Sequence, residues 1–216
     1  MISHELQTIF VHVPKTSGVS LTASLVSHVL GHDVDEEEPF CAVPLKIQFS
    51  LRGQQKHKQA RNYVPADITK KLWDSYYKFA FVRNPWDRAV SEFHWRHERP
   101  SEKHRPSTNF KDFLDYCEFR IRDTKRRKKD IYWTHAQTQT SYVTGLNGNI
   151  ILDDVFKFED MDNSIRTISE KLDIPIALEQ HNSSTHNHYR DYYNDETKKI
   201  VERLYAEDIK LFGYEF

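Results

Sequence analysis

The stretch Thr8-Ile9-Phe10-Val11-His12-Val13-Pro14-Lys15-Thr16-Ser17-Gly18-Val19-Ser20 decides how the rest of the chain is read. Ile9, Phe10, Val11 and Val13 form an apolar run that stops at Pro14-Lys15. From about Gly18 a helical pattern begins and runs to Leu30. Val19, Ala23, Val26 and Leu30 keep helical spacing, Leu25 and Val29 lie beside them, and Gly31 is a suitable stop. Strand, small-residue turn and helix start, with a lysine inside the turn, is how chains build a cradle for an oxyanion. The first N–H groups of a helix have no partner within it, and the macrodipole adds about half a positive charge there. Hydroxyls from Thr16, Ser17 and Ser20 and the Lys15 ammonium complete the set. A plain strand-to-helix turn with an exposed lysine would use the same letters, so this stretch alone leaves both readings open.

A second stretch narrows the choice. Lys78–Val82 (KFAFV) reads as a short strand ending at Arg83. Asn84-Pro85-Trp86-Asp87 then has the form of a helix start, with Asn at the cap, Pro in the first helical position and an acid in the first turn. The helix is expected to reach about Arg99, with Pro100 just beyond. Asn84 and Ser91 are two turns apart and share a face, which places Arg83 and Ser91 to grip one anion from the side of the helix. Arginine brings a forked, always-charged donor and serine a neutral one. Lys15 and Arg83 thus each come at the end of a strand, 68 residues apart. The first loop is not a Walker A motif, because its lysine comes first and it has one glycine, Gly18.

Around these stretches the pattern predicts a helix over about Ala66–Tyr76, another over Phe110–Arg122, one near 133–143, a third strand at Asp154–Phe158, a helix at Asp162–Leu172 and a last helix at about Asp195–Phe212. Residues 32–64 read as one long irregular connection, and Gln180–Tyr189 as a His- and Asn-rich loop. Strands alternating with helices predict an α/β fold, a mostly parallel central sheet flanked by helices. At 216 residues a single domain over 1–216 is expected.

The net charge of −1 argues against non-specific nucleic-acid binding by the whole chain. Two cysteines, Cys41 and Cys117, make no disulfide framework. No apolar run approaches the ~20 residues of a membrane span, and the N-terminal residues lack a signal-peptide pattern. The expectation is a cytoplasmic protein, or a piece of a larger one.

Taken together, PKTSGVS and FAFVRNPWDRAVS resemble the two nucleotide-binding motifs of sulfotransferases that use 3′-phosphoadenosine-5′-phosphosulfate (PAPS). The resemblance extends to KHKQAR (56–61), to VFKFEDM (155–161) and to the segment from His181 to Phe216, and is to the bacterial branch of the carbohydrate sulfotransferases. It implies a P-loop-like sulfotransferase fold and transfer of a sulfuryl group from PAPS, leaving 3′,5′-ADP, to an acceptor hydroxyl, a saccharide by this likeness. Pro14, Lys15, Thr16, Ser17, Gly18 and Ser20 would hold the 5′-phosphosulfate, and Arg83 and Ser91 the 3′-phosphate. Two positions depart from the pattern: Val19, where such loops often carry a hydroxyl, and Lys157, where an arginine is usual.

The reaction calls for donors on the leaving oxygen, where Lys15 is placed, and for a base on the acceptor hydroxyl. No metal is expected, since lysine and backbone amides can supply the positive charge. Among twelve histidines, His57 is the candidate base, because the resembling glycan 2-O-sulfotransferases keep a histidine in a comparable place; His181 stands second, and a solvated His57 accounts for the letters equally well. His12 reads as core or as a hydrogen-bonding wall. The basic run Arg120–Lys129 could hold an acidic glycan or be a solvated helix end. Two other classes remain in view: an ATP-dependent kinase of P-loop type, supported by a weak Walker-B-like Ile150-Ile151-Leu152-Asp153, and a non-catalytic binder of acidic glycans.

Overall fold

The computed structural model describes residues 1–34, 41–43, 47–49, 57–64, 67–97, 109–122, 131–178 and 187–216. In chain order the elements are β1 (Ile2–Ser3), β2 (Thr8–Val11), α1 (Gly18–Leu30), β3 (Cys41–Val43), β4 (Ile47–Phe49), α2 (Lys70–Ser75), β5 (Tyr77–Val82), α3 (Pro85–His97), α4 (Phe110–Arg122), α5 (Ile131–Ala136), α6 (Thr140–Val143), β6 (Asp154–Lys157), α7 (Met161–Leu172), α8 (Asp195–Leu204) and α9 (Ala206–Phe212). Two compact units divide them: Met1–Val82 with Ser141–His181, and Arg83–Thr140 with Asn182–Phe216.

The first unit holds one sheet of strand order β3-β4-β1-β2-β5-β6. The three strands expected from the apolar runs are its parallel part. β2 pairs with β5 in the register Phe10↔Phe79, and β5 with β6 in the register Phe81↔Phe156. Parallel neighbours need a crossover connection, which α1 begins for β2 and β5. Short antiparallel strands extend the other edge, β1 against β2 and β4, and β3 against β4. These fall where the sequence shows no strand-length alternation. Phe10, Phe79 and Phe81 pack with Leu21, Leu25, Val26 and Val29 of α1 and with Ile168 of α7 in a buried apolar core. The rings of Phe10 and Phe79 stack at 5.2 Å. β2, buried at every position, leads at its carboxyl end into the Pro14–Ser17 turn.

In the second unit Asn84 caps α3 as its letters predict, accepting from the N–H groups of Trp86 at 3.0 Å and Asp87 at 3.5 Å. Phe113, Leu114 and Cys117 of α4, Val90 of α3 and Val201 of α8 are buried.

Three helices are shorter or more broken than their patterns suggest. The segment near 133–143 forms α5 and α6 with a break at 137–139, where the main chain of Gln139 and Thr140 donates instead to the Asp208 carboxylate. The expected Asp195–Phe212 helix divides into α8 and α9 at Tyr205, whose backbone leaves helical geometry (φ −118, ψ 29) while its hydroxyl donates to the Ala136 carbonyl. α2 begins at Lys70, capped by Thr69, so the described part of the predicted 66–76 helix loses its first turn. The Walker-B-like reading of residues 150–153 does not hold, since Asp153 precedes β6 instead of ending a strand and pairs with Lys78 Nζ at 2.9 Å. His181, Ser183 and Ser184, Lys56, and the basic run beyond Arg122 lie outside the described residues.

Candidate active site

In the first unit the turn that follows β2 has unusual backbone geometry. Lys15 (φ 68) and Ser17 (φ 59), neither of them glycine, adopt the left-handed conformation on either side of Thr16. Each such residue costs roughly 1–3 kcal/mol and persists where its surroundings over-determine it, typically at ligand clamps. Left-handed residues in a tight turn gather successive N–H groups into a concavity that suits an anion. The turn is closed from below by Thr16, a buried residue whose hydroxyl donates to the Val13 carbonyl at 2.9 Å. Ser17 stands at the cap position of α1 without capping it through its side chain. Pro14, Thr16, Gly18 and Ser20 are buried, whereas Lys15 and Ser17 are half-buried and reach the surface of the turn.

Gly18 is there because His12 leaves no room for anything larger. A Cβ on Gly18 would lie 2.0 Å from His12 Cδ2 and 2.2 Å from Nε2. His12 is itself buried, with its ring against that of His57 at 4.5 Å between centroids. Nδ1 of His57, also buried, lies 3.2 Å from the His12 carbonyl oxygen. A carbonyl can only accept, so Nδ1 carries the hydrogen, and in the neutral ring the lone pair resides on Nε2. Of the residues singled out in the sequence, the structure thus joins Gly18 and His57 through His12.

Arg83 and Ser91 belong to the second unit. Arg83 directly precedes the Asn84 cap, and Ser91 is buried two turns into α3. Arg83 Nε donates to Asp87 Oδ2 at 2.8 Å. Its main chain is bonded on both sides by the buried Gln139 side chain, N–H to Oε1 at 2.8 Å and C=O from Nε2 at 2.7 Å. Asp208, fully buried, accepts from the main-chain N–H groups of Gln139 at 2.8 Å and Thr140 at 2.7 Å. Burial raises the Asp208 carboxyl pKa, against the pull of Arg88, 3.9 Å away, and of those two N–H donors. Arg88 in turn donates to the carbonyls of His135 and Gln137.

Deeper in the same unit, Glu92 accepts from Arg96 Nε at 2.6 Å and from His135 Nδ1 at 2.8 Å. All three are buried. The sequence reading missed Gln139, Asp208 and this triad. Glu92 and Arg96 carried a faint signal, a four-residue spacing on a helix face among aromatics; Gln139 and Asp208 carried none.

Of the basic run, Arg120 turns inward and is buried, while Arg122 is exposed and paired with Glu118 at 2.6 Å. Among the described residues there is no cluster of His, Cys, Asp and Glu that could hold a metal ion, and no helix long and apolar enough to cross a membrane.

No curated protein matches the sequence. Among solved structures, the chain is similar to mouse sulfotransferase SULT7A1 complexed with PAP, with a TM-score of 0.52 and 14% sequence identity over 97% of this chain and 91% of that one, a likeness of fold. The sequence profile of the sulfotransferase family matches residues 1–215. With an α/β sheet whose second strand runs into a lysine-bearing, left-handed turn at a helix start, and a family match over nearly its whole length, the chain belongs to the sulfotransferase family, enzymes that move a sulfuryl group to an acceptor.

Proposed function

We propose that the chain transfers the sulfuryl group of PAPS to a hydroxyl of a saccharide, with residues 1–216 acting as one catalytic domain. The observation that carries this reading is the turn itself. Left-handed backbone at Lys15 and Ser17 opens the start of α1 toward an anion, with Gly18 seated against the His12 ring, which in turn packs on that of His57. In this reading Pro14, Thr16, Ser17, Gly18 and Ser20 line the seat of the 5′-phosphosulfate. Lys15 meets the bridging oxygen, where negative charge grows as the sulfur–oxygen bond breaks. Donors fixed in advance at such a position cost no reorganisation during reaction.

Arg83 and Ser91 hold the 3′-phosphate. His57 accepts the acceptor proton on Nε2, the atom left with the lone pair by the bond to the His12 carbonyl. The proton moves from hydroxyl to imidazole as the oxygen attacks sulfur in line, and 3′,5′-ADP leaves with the bridging oxygen. The saccharide is supported by the resemblance of the motifs to carbohydrate sulfotransferases.

Two measurements test the reading. A melting shift with 3′,5′-ADP larger than that with ATP and Mg²⁺ is expected, since a ligand selective for the folded state raises apparent stability. Transfer of label from PAPS to a panel of oligosaccharides is expected to exceed transfer to phenols and lipids. A larger shift with ATP and Mg²⁺ overturns the donor, and preference for a phenol overturns the acceptor.

A further inference from the structure

Arg83 follows the last residue of β5, where ladder pairing has ended, so its own N–H and C=O need partners from elsewhere. Gln139 supplies both. A side-chain amide is a peptide group in miniature, and this two-point contact repeats the hydrogen-bonded pair of an antiparallel ladder. It fixes the backbone on both sides of the Arg83 Cα and hence the direction in which the side chain leaves. Gln139 is in turn fastened by the Asp208 carboxylate, which holds its N–H and that of Thr140. Asp87, in the first turn of α3, then fixes the guanidinium at Nε.

We propose that Gln139 and Asp87 are positioning residues for Arg83, and that this clamp sets selectivity for a nucleotide bearing a 3′-phosphate. The inference rests on the reading of Arg83 as the holder of that phosphate. The physical reason is preorganisation. A fork already aimed loses little rotamer freedom on meeting an anion, and a loosely held one gives back much of the gain.

Calorimetric titration with 3′,5′-ADP and with 5′-AMP, which differ only by the 3′-phosphate, provides the test. Wild-type protein is expected to prefer 3′,5′-ADP. In Gln139→Met that preference is expected to fall about tenfold, the scale of a hydrogen bond to a charged group, while 5′-AMP affinity is kept. A merely structural role would weaken both ligands together. Asp87→Ala gives a second reading that does not depend on folding of the first variant. Removing a carboxylate beside an anion site strengthens anion binding by Coulomb's law alone, so a weakened preference for 3′,5′-ADP supports positioning. An unchanged or increased one overturns it for Asp87. An unchanged ratio in folded Gln139→Met overturns the clamp. Wild-type protein that binds both nucleotides equally overturns the assignment of Arg83 itself.

Discussion

The imidazole of His12 occupies the space beside Gly18, so that a Cβ there would meet its Cδ2 at 2.0 Å. His12 is buried and backed by His57, which leaves it little room to yield. Gly18→Ala is therefore expected to destabilise the protein by about 1–3 kcal/mol, the usual cost of overpacking. Adding His12→Ala should recover part of that loss. Urea unfolding of the two single variants and the double variant measures the coupling, and strictly additive effects would contradict the contact.

Lys15 combines a strained backbone with the proposed chemical role. Lys15→Gly places at φ 68 the residue that tolerates it best. The variant is expected to be as stable as the parent while losing roughly 10²–10³-fold in sulfuryl transfer, the scale of one missing transition-state donor. Melting and initial rates on the same preparation check both halves.

For His57 the expected outcome is a loss confined to turnover. His57→Ala should cut the rate of transfer by about 10²–10⁴-fold, the range of a general base, and leave affinity for 3′,5′-ADP unchanged. Added imidazole should restore part of the rate. Unaltered turnover would remove His57 from the mechanism.

Glu92 joins Arg96 and His135 where none of them reaches water. Glu92→Ala leaves buried positive charge without its carboxylate and is expected to cost about 3–5 kcal/mol. Equilibrium unfolding in urea gives the value.

Burial pushes the Cys117 thiol up to about 12. Above about pH 9 the unfolded thiol ionises while the native one keeps its proton, so the native state binds more protons and stability falls as pH rises toward 12. Burial raises the Tyr63 and Tyr205 hydroxyls as well, which adds to the same trend. Cys117→Ala should flatten the decline between pH 9 and 10.5 by up to about 1.4 kcal/mol per pH unit. Unfolding curves across that range check the slope.

The sequence by itself determined the three parallel strands, the starts of α1 and α3, and the lysine-bearing, small-residue make-up of the turn after β2. Those features are local. Apolar alternation, Asn84 before Pro85, and a lysine in a small-residue turn act over a few residues and leave their mark in the letters. Tertiary structure alone decided what stands behind them. Gln139 finds Arg83 across 56 residues, Asp208 reaches the main chain of Gln139 across 69, and His57 meets the His12 carbonyl across 45. No periodicity records contacts at such separations, because they depend on where whole elements pack. The breaks after α5 and at Tyr205 share that cause, since distant carboxylate and carbonyl partners claim the groups there. Gly18 spans both levels. Its place in the turn is legible as a small residue at a helix start, but the reason that nothing larger fits is a histidine ring seated over it by the fold.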